Sequence, residues 1–274
     1  MPELLRMQMS SGTGIGKRIE RGREATLPID KFRVREAASQ CQFKIVMSAM
    51  PVLYFWHMSN GTAVIAGASG LVGEFVLNEL QRSDYTRVIA PVRRPLIGAG
   101  RVENVVGGLD QLEQIKLDPG SDLFCALGTT ISKAGSQEAF RSVDYELPLK
   151  FAKWGKANGA VCFILVSSVG ADASSSNFCL RTKGELERDL EALAFPSLHI
   201  FQPSFLVGPR REQRLGERIG IAIVEAMSFA LIGGLRKYRS MPAERLAKAM
   251  VRTAQSRKPG TNRYKFDEID GLLS

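Results

Sequence analysis

Three glycines at three-residue intervals constrain the fold of this 274-residue chain more than any other feature. They lie in the run Gly67-Ala68-Ser69-Gly70-Leu71-Val72-Gly73. A β-rich apolar run, 62–66, precedes them and an amphipathic stretch, 71–81, follows, so the pattern predicts a strand, a tight turn and a helix. In that context Gly67 permits the turn, Gly70 lets the backbone approach a pyrophosphate, and Gly73 lets the helix pack closely on the strand. The helix N-terminus presents N–H groups to an anion, which predicts dinucleotide binding at this loop.

From Thr62 onward, short β-rich runs alternate with amphipathic stretches. Strands are predicted at Thr62–Ala66, Arg87–Val92, Arg101–Val106, Asp122–Leu127, Val161–Ser167 and Leu198–Gln202. A second helix is predicted where apolar residues recur every three or four positions between Phe140 and Trp154, with Pro148 either kinking it or marking its first turn. Such alternation is typical of βαβ units, and we therefore predict an α/β fold, a Rossmann-type doubly wound parallel sheet.

Composition excludes several classes of protein. With 45% hydrophobic residues the chain can bury one substantial core, and a single NAD(P)-binding domain is expected over 58–274. The longest apolar run, 45–58, is too short to span a membrane, so no membrane partner is expected. The net charge of +9 is interleaved with acidic residues and forms no long basic block, which argues against nucleic-acid binding and suits an anionic cofactor.

The four cysteines, Cys41, Cys125, Cys162 and Cys179, are scattered through the chain. They form no CxxC pair and have no histidines at ligand spacing, so neither a disulfide framework nor a metal site is expected. Thiols inside apolar strands behave as small hydrophobic side chains and fit a reducing compartment. A cytoplasmic location is therefore predicted.

The first 57 residues do not resemble the rest of the chain. Gly, Ser, Arg and Glu dominate residues 10–24, and the periodicity is poor. Acidic residues in this segment argue against an organelle transit peptide. We expect 1–57 to be a poorly ordered extension, on the hypothesis that translation begins at Met58; a natively expressed peptide from before Met58 would exclude that hypothesis.

Further motifs resemble one superfamily. They are Cys125-Ala126-Leu127-Gly128-Thr129-Thr130, Ser167-Ser168-Val169-Gly170-Ala171-Asp172 and Lys183-Gly184-Glu185. With the GxxGxxG spacing, they make the chain from Thr62 onward resemble the extended and atypical short-chain dehydrogenase/reductase superfamily, and within it the Tat-interacting oxidoreductase family and its bacterial NAD(P)-binding relatives. The resemblance implies cofactor contacts at Leu127, Gly128 and Thr129 and at Pro203, Ser204 and Phe205, where Gln202 replaces the Arg of the family's Arg-Pro-x-x-Leu segment. It also implies a small C-terminal helical cap on the substrate cleft, from about 209 to 256.

Two arginines stand where the second strand ends. An acidic residue about 20 positions beyond the glycines would bind the ribose 2′-hydroxyl of NAD, but this chain has Arg93 and Arg94. Two guanidinium groups can clamp a 2′-phosphate, so the sequence favours NADP(H) over NAD(H). The alternative is an ordinary pair of surface arginines.

The resemblance also assigns catalytic positions. The superfamily uses a Ser after the fifth strand to hold the substrate oxygen, with a Tyr as acid/base and a Lys four residues later that binds the nicotinamide ribose. Ser167 or Ser168 fills the serine place and Lys183 the lysine place, but Cys179 stands at the tyrosine position. Cys179 marks either lost reductase chemistry, a reactive thiol beside Arg181 and Lys183, or a site rebuilt around Tyr145 or Tyr238.

Three functions follow from these residues. The first is an NADP(H)-dependent oxidoreductase acting on a small-molecule carbonyl or enone substrate. The second is an NADPH-binding regulatory or interaction protein that has lost catalysis and acts through a protein partner. A sugar-nucleotide epimerase or dehydratase is the weakest alternative, because the cap is small and the Tyr is absent.

Overall fold

The computed structural model describes residues 61–98, 100–208 and 239–274. The predicted extension 1–57 and the part of the predicted cap between 209 and 238 lie outside the described residues. The strands are β1 (Thr62–Ala66), β2 (Arg87–Val92), β3 (Val102–Val106), β4 (Asp122–Cys125), β5 (Cys162–Val166), β6 (Ser197–Phe201), β7 (Leu206–Val207), β8 (Met241–Pro242) and β9 (Gly260–Tyr264).

Seven of these strands form one parallel sheet in the order β3-β2-β1-β4-β5-β6-β9, and β7 pairs separately with β8. Strands β2 and β3 are added on one side of β1, and β4 and the strands after it on the other side. At such a switch point, here between β1 and β4, open α/β sheets form a crevice at the carboxyl ends of their strands. The predicted Rossmann-type doubly wound fold is confirmed.

Helices cover both faces of the sheet. They are α1 (Leu71–Arg82), α2 (Ile131–Ala134), α3 (Gln137–Arg141), α4 (Leu147–Ala157), α5 (Phe178–Ala192), α6 (Ala243–Ser256) and α7 (Phe266–Gly271), with a 3₁₀ helix at Gly108–Gln114 and a π-helical turn at Ser142–Glu146. None of the helices in the described residues is long and apolar enough to cross a membrane.

Strand β1 shows how the two halves of the core are built. Ala63 and Ile65 pack with side chains of α1 and α6 on one face, while Val64 and Ala66 pack with the 3₁₀ helix, α4 and α5 on the other. All five residues of β1 are buried, as expected for a parallel strand covered on both faces. The glycine turn that follows β1 is therefore held by a rigid strand.

The predicted second helix contains the π-helical turn just before Pro148. Proline has no N–H, so it cannot form the α-helical hydrogen bond to the carbonyl of residue 144. The helix widens over Ser142–Glu146 and continues as α4, with Pro148 in its first turn. Of the two alternatives for Pro148, the structure shows the second: Pro148 lies in the first turn of α4, which follows the π-helical turn without a break in the helical backbone.

The C-terminal region differs from the sequence-based expectation in two ways. Residues 243–256 were predicted as part of the cap, but they form α6, whose Leu246, Ala247 and Met250 are fully buried against α1 and the sheet. This amphipathic helix is one of the flanking layers of the Rossmann fold. The edge strand β9 was not predicted, because Gly260 and Asn262 are poor strand formers and most of its side chains are exposed or half-buried.

Candidate functional site

The glycine turn lies between β1 and α1, and two of its glycines are required by close backbone contacts. Gly67 has a φ of +87°, and a Cβ there would lie 2.7 Å from the carbonyl carbon and oxygen of Ala126. A Cβ on Gly73 would lie 2.0 Å from the carbonyl oxygen of Gly67. These contacts hold the turn against α1 and against the loop that follows β4.

The start of α1 is open to a ligand. Its N-cap is Gly70, which offers no side-chain acceptor to the first turn of the helix. Ser69 and Gly70 are exposed, whereas Ala68 and Val72 are buried beneath them. Free N–H groups at a helix N-terminus suit a pyrophosphate, and the missing Cβ atoms leave room for its close approach.

Arg93 and Arg94 follow directly after β2, at the same edge of the sheet as the glycine turn, because β1 and β2 pair in parallel. Both are exposed. Among the residues that the structure describes, neither arginine has a hydrogen-bond or ion-pair partner. Their guanidinium groups are thus available to an anion.

The loop after β4, Leu127 to Thr129, borders the glycine turn. A Cβ on Gly67 would also lie 2.9 Å from the backbone nitrogen of Leu127. The backbone N–H of Thr129 donates to Oδ2 of Asp144 at 2.8 Å. The predicted cofactor residues of this loop therefore lie beside the pyrophosphate turn and are fixed by a side chain of the π-helical turn.

Lys183, on α5, reaches the same acidic residue. Its Nζ lies 2.8 Å from Oδ1 of Asp144, whose side chain is fully buried. Asp144 was not among the sequence-predicted site residues. The only sequence signal for it is an acidic residue beside the apolar positions Val143 and Leu147, which is common at the margin of an amphipathic helix.

The two candidate serines have different environments. Ser167 is buried and donates its hydroxyl to Oε1 of Glu187 at 2.5 Å. Ser168 is partly exposed, and its hydroxyl has no hydrogen-bond partner among the described residues. The prediction that Ser167 could hold the substrate is therefore corrected: its hydroxyl is committed to Glu187, and Ser168 is the serine available to a ligand.

The buried carboxylate of Glu187 is the centre of a polar cluster that sequence reasoning missed. Nε2 of Gln202 lies 3.0 Å from each of its carboxylate oxygens, and Nε of Arg263 lies 3.2 Å from Oε2. Gln202 thus serves this cluster and not the cofactor loop. The cluster joins the ends of β5, β6 and β9 to α5.

The loop after β6 lies next to the serine pair. The backbone N–H of Val169 donates to the carbonyl of Pro203 at 2.9 Å, and Met241 donates to the carbonyl of Phe205 at 2.8 Å. The hydroxyl of Ser204 donates to the carbonyl of Arg239. Phe205 keeps 61% of its surface exposed, so an aromatic ring borders the predicted nicotinamide side of the site.

Cys179 and Lys183 share one face of α5, as the spacing predicts. Neither neighbouring cation pairs with the thiol. Lys183 is bound to Asp144, and Nη1 of Arg181 donates to the carbonyl of Ser175 at 2.9 Å. The arrangement gives no support to a thiol activated by Arg181 and Lys183.

Tyr145 does not replace the missing tyrosine. Its hydroxyl donates to Oδ2 of Asp189 at 2.6 Å, and the guanidinium of Arg141 lies 4.2 Å from the centre of its ring. The hydrogen bond to Asp189, together with burial, raises the pKa of Tyr145. The prediction of Tyr145 as a donor is corrected for this reason, and Tyr238, the other candidate, lies outside the described residues.

Comparison with known proteins shows which chains are similar. No family model matches the chain. Protein HTATIP2 of Rattus norvegicus is 34% identical over 226 residues, covering 80% of this chain and 90% of that protein. Protein FMP52, mitochondrial, of Debaryomyces hansenii is also 34% identical over 226 residues, covering 77% of this chain and 98% of that protein. The relative of the same name in Candida glabrata is 39% identical over 163 residues, covering 58% and 70% of the two chains.

Solved structures share the fold at low identity. MoeE5 in complex with UDP-glucose and NAD superposes with a TM-score of 0.55 and 16% identity, covering 76% of this chain and 79% of that one. The ADP-L-glycero-D-manno-heptose-6-epimerase of Helicobacter pylori gives a TM-score of 0.57 and 15% identity, covering 78% and 80%. These likenesses show a Rossmann-type α/β fold.

The predicted cytoplasmic location is contradicted by these relatives, because the FMP52 proteins are mitochondrial by name. The prediction depended on reduced thiols, and Cys125 and Cys162 are indeed free and buried. Free buried thiols indicate a reducing environment, and that criterion does not separate the cytoplasm from the interior of an organelle.

Proposed function

Since the chain belongs to the family of HTATIP2 and the FMP52 proteins, within the atypical short-chain dehydrogenase/reductase superfamily, we propose that it is an NADP(H)-binding oxidoreductase acting on a carbonyl substrate. The observation that carries the proposal is the open glycine turn between β1 and α1, next to two guanidinium groups at the end of β2 that have no partner among the described residues. A dinucleotide needs a phosphate cradle and an adenosine recognition element, and these features supply both.

The preference for NADP(H) over NAD(H) is argued from Arg93 and Arg94. NAD-binding sites of this fold place a carboxylate at the end of β2 to accept hydrogen bonds from the ribose hydroxyls. The guanidinium group of arginine offers N–H donors in a planar fork that matches the oxygens of a phosphate, and its positive charge attracts the phosphate. Two exposed arginines without acidic partners among the described residues therefore favour a 2′-phosphate.

The chain's own residues would bind and orient the reactants. When bound, NADPH supplies the hydride for reduction of a carbonyl carbon. Lys183 lies on the face of α5 that would hold the nicotinamide ribose, and Ser168 offers a free hydroxyl to a carbonyl oxygen. The exposed ring of Phe205 would help to exclude water from one side of the site.

Proton transfer is the step for which the site is least equipped. A general acid must approach within about 2.6–3.2 Å of the substrate oxygen. The sulfur of Cys179 lies one bond beyond its Cβ, whereas a tyrosine hydroxyl lies across a whole ring, so the thiol cannot reach the place of the tyrosine oxygen. This departure favours a second candidate function, a cofactor-binding regulatory protein whose NADPH occupancy is read by a protein partner.

Oxidation of NADPH with a panel of aldehydes, ketones and enones tests the proposal. Turnover by the wild type supports the oxidoreductase, and its loss in Cys179→Ala would make the thiol catalytic. Turnover that appears only in Cys179→Tyr shows that the catalytic site is intact except for its acid, which supports the regulatory candidate for the natural protein. If neither the wild type nor Cys179→Tyr oxidises NADPH with any substrate of the panel, although both bind NADPH tightly, the proposed oxidoreductase activity is contradicted.

A further inference from the structure

A polar cleft borders α5, next to the loop that follows the serine pair. It has a volume of about 460 Å³ and lies between α5, the end of β9 and the start of α7. The loop segment 171–173 closes one side of it and packs tightly on α5, since a Cβ on Gly184 would lie 2.2 Å from the backbone nitrogen of Ala173. None of the described residues that line the cleft was assigned above to the cofactor or to catalysis.

The cleft has two buried polar side chains in its lining, those of Glu187 and Gln202, which are 3% and 5% exposed. Nε2 of Gln202 donates to both carboxylate oxygens of Glu187 at 3.0 Å. Oε1 of Gln202 accepts no hydrogen bond from the residues that the structure describes. Buried polar groups nearly always have a partner, so an acceptor left free beside an open cleft points to a ligand that brings a hydrogen-bond donor.

The charges in the lining define the ligand further. Four of the described lining residues are carboxylates, namely Asp172, Glu187, Glu191 and Glu268. Arg263 is bound to Glu187 and to Glu191, so one cation serves two of these carboxylates.

The other two cationic side chains of the lining do not balance the remaining charge. Arg188 is paired with Asp189, which does not line the cleft. Lys265 has no ion-pair partner among the described residues, and it is the one cation left to face Asp172 and Glu268. The excess of negative charge attracts a cation and disfavours an anion.

The carboxylate oxygens that remain free are on opposite walls. Oε1 of Glu191, on α5, is taken by Arg263, which leaves Oε2. Oε2 of Glu268, on α7, accepts the backbone N–H of Lys265 at 3.0 Å, which leaves Oε1. A ligand with one positive group at each end can therefore engage both walls.

We infer that this cleft is a binding site for a small organic diamine. Its two ammonium groups bind Glu191 and Glu268 on the opposite walls, and one of them also donates an N–H to Oε1 of Gln202. The inference does not depend on the proposed function, because the cleft shares no residue with the proposed cofactor site.

The test titrates the full chain with two dications by calorimetry. The first is 1,4-diaminobutane, and the second is its fully methylated analogue, 1,4-bis(trimethylammonio)butane, which has the same charge and no N–H donor. The diamine should bind at one site and about fivefold more tightly than the analogue, since only the diamine can donate to Gln202. Gln202→Met, which removes the acceptor, should abolish this preference.

Three charge variants test the two walls. Glu191→Gln and Glu268→Gln should each weaken diamine binding about fivefold, because each removes one carboxylate and keeps the shape of the side chain. Lys265→Met should strengthen binding about twofold, since it removes a like charge. Glu244→Gln is the matched control and should change nothing, because Glu244 pairs with Lys248 on α6, outside the cleft.

Several results would overturn the inference. Absence of saturable diamine binding up to about 10 mM would show that the cleft is not a site for this ligand class. Equal weakening by Glu244→Gln and Glu191→Gln would show general attraction to an acidic surface, and weaker binding in Lys265→Met would show a preference for anions. If Gln202→Met fails to fold, the two glutamate variants and Lys265→Met still decide the question, since all three residues are at the surface or half-buried.

Discussion

Arg263, on the edge strand β9, holds its Nε 3.2 Å from the buried carboxylate of Glu187 on α5. The family's Arg-Pro-x-x-Leu segment, which residues 202–206 resemble, has an Arg where this chain has Gln202, directly after the neighbouring strand β6. Strands β6 and β9 are paired, with Ile200 opposite Arg263. The positive charge that accompanies Glu187 is thus supplied from one strand further along the sheet.

Arg263→Ala is therefore expected to destabilise the protein by roughly 1–3 kcal/mol, because a buried carboxylate loses its charged partner. Adding Gln202→Arg should restore much of this loss. Urea unfolding measures both effects, and Glu191→Gln, which removes the more exposed partner of Arg263, should change stability by about 0.5 kcal/mol or less. A double variant no more stable than Arg263→Ala would refute the relocation of charge.

The serine pair predicts separate effects on stability and activity. Ser167→Ala removes a buried hydrogen bond to Glu187 and should cost about 1 kcal/mol of stability, with turnover per folded molecule retained. Ser168→Ala should leave stability unchanged and lower kcat at least tenfold. Urea unfolding and NADPH oxidation, in the wild type or in Cys179→Tyr if only that protein turns over, measure the two quantities. A loss of turnover in Ser167→Ala together with a loss of stability in Ser168→Ala would contradict this assignment of the two serines.

Gly73→Ala should destabilise the domain by roughly 1–3 kcal/mol, since the added Cβ would overlap the carbonyl oxygen of Gly67. The same substitution at Gly271, at the end of α7, meets no atom within 4 Å and should be neutral or slightly stabilising. Thermal unfolding of both variants checks the contrast. Similar unfolding temperatures for the two would contradict the close packing of the turn.

Two buried groups predict opposite dependences of stability on pH. Burial, with a smaller effect of Lys258, lowers the pKa of His199 to about 4, and burial raises the pKa of Asp122 to about 6 against the opposing effect of Arg257. His199 charges more readily in the unfolded chain, so its contribution to stability is lost as pH falls from about 6.5 towards 4. Asp122 is protonated more readily in the folded chain, so its contribution is lost as pH rises from about 4 through 6.

The two effects offset each other in the wild type over the same pH range. His199→Gln should therefore become relatively more stable than the wild type as pH falls from 6.5 to 4.5, and Asp122→Asn relatively less stable. Urea midpoints at three pH values within this range measure the difference for each variant. Parallel profiles for all three proteins would contradict the assigned shifts.

The parts of the fold that depend on local rules were predictable from the sequence. The turn from β1 to α1 requires glycine at 67 because φ is positive there, and at 73 because a Cβ would meet the backbone of Gly67. The glycines that meet both requirements can be read directly from the sequence. The central strands are buried on both faces, and their short continuous apolar runs reveal them. By contrast, α6 is amphipathic in the same way as a cap helix would be, and the pattern does not say which surface it covers.

The side-chain connections of the site could not be predicted in the same way. Ser167 and Ser168 are neighbours of identical type, and only the packing of α5 determines that Glu187 accepts the hydroxyl of Ser167. Asp144 is recognisable only after the π-helical turn has brought it to Lys183 and Thr129. Long-range pairs of this kind have no signature in local spacing.

Affinity for the two nicotinamide cofactors tests the central claim most directly. NADPH and NADH are titrated against the wild type, Arg93→Ala/Arg94→Ala and the control Arg82→Ala/Arg188→Ala, which removes the same charge from exposed positions elsewhere. The wild type and the control should bind NADPH at least tenfold more tightly than NADH, and the Arg93/Arg94 variant should bind both about equally through a loss for NADPH alone. Equal affinity for both cofactors in the wild type, or an unchanged preference in the Arg93/Arg94 variant, would contradict NADP(H) recognition at the end of β2.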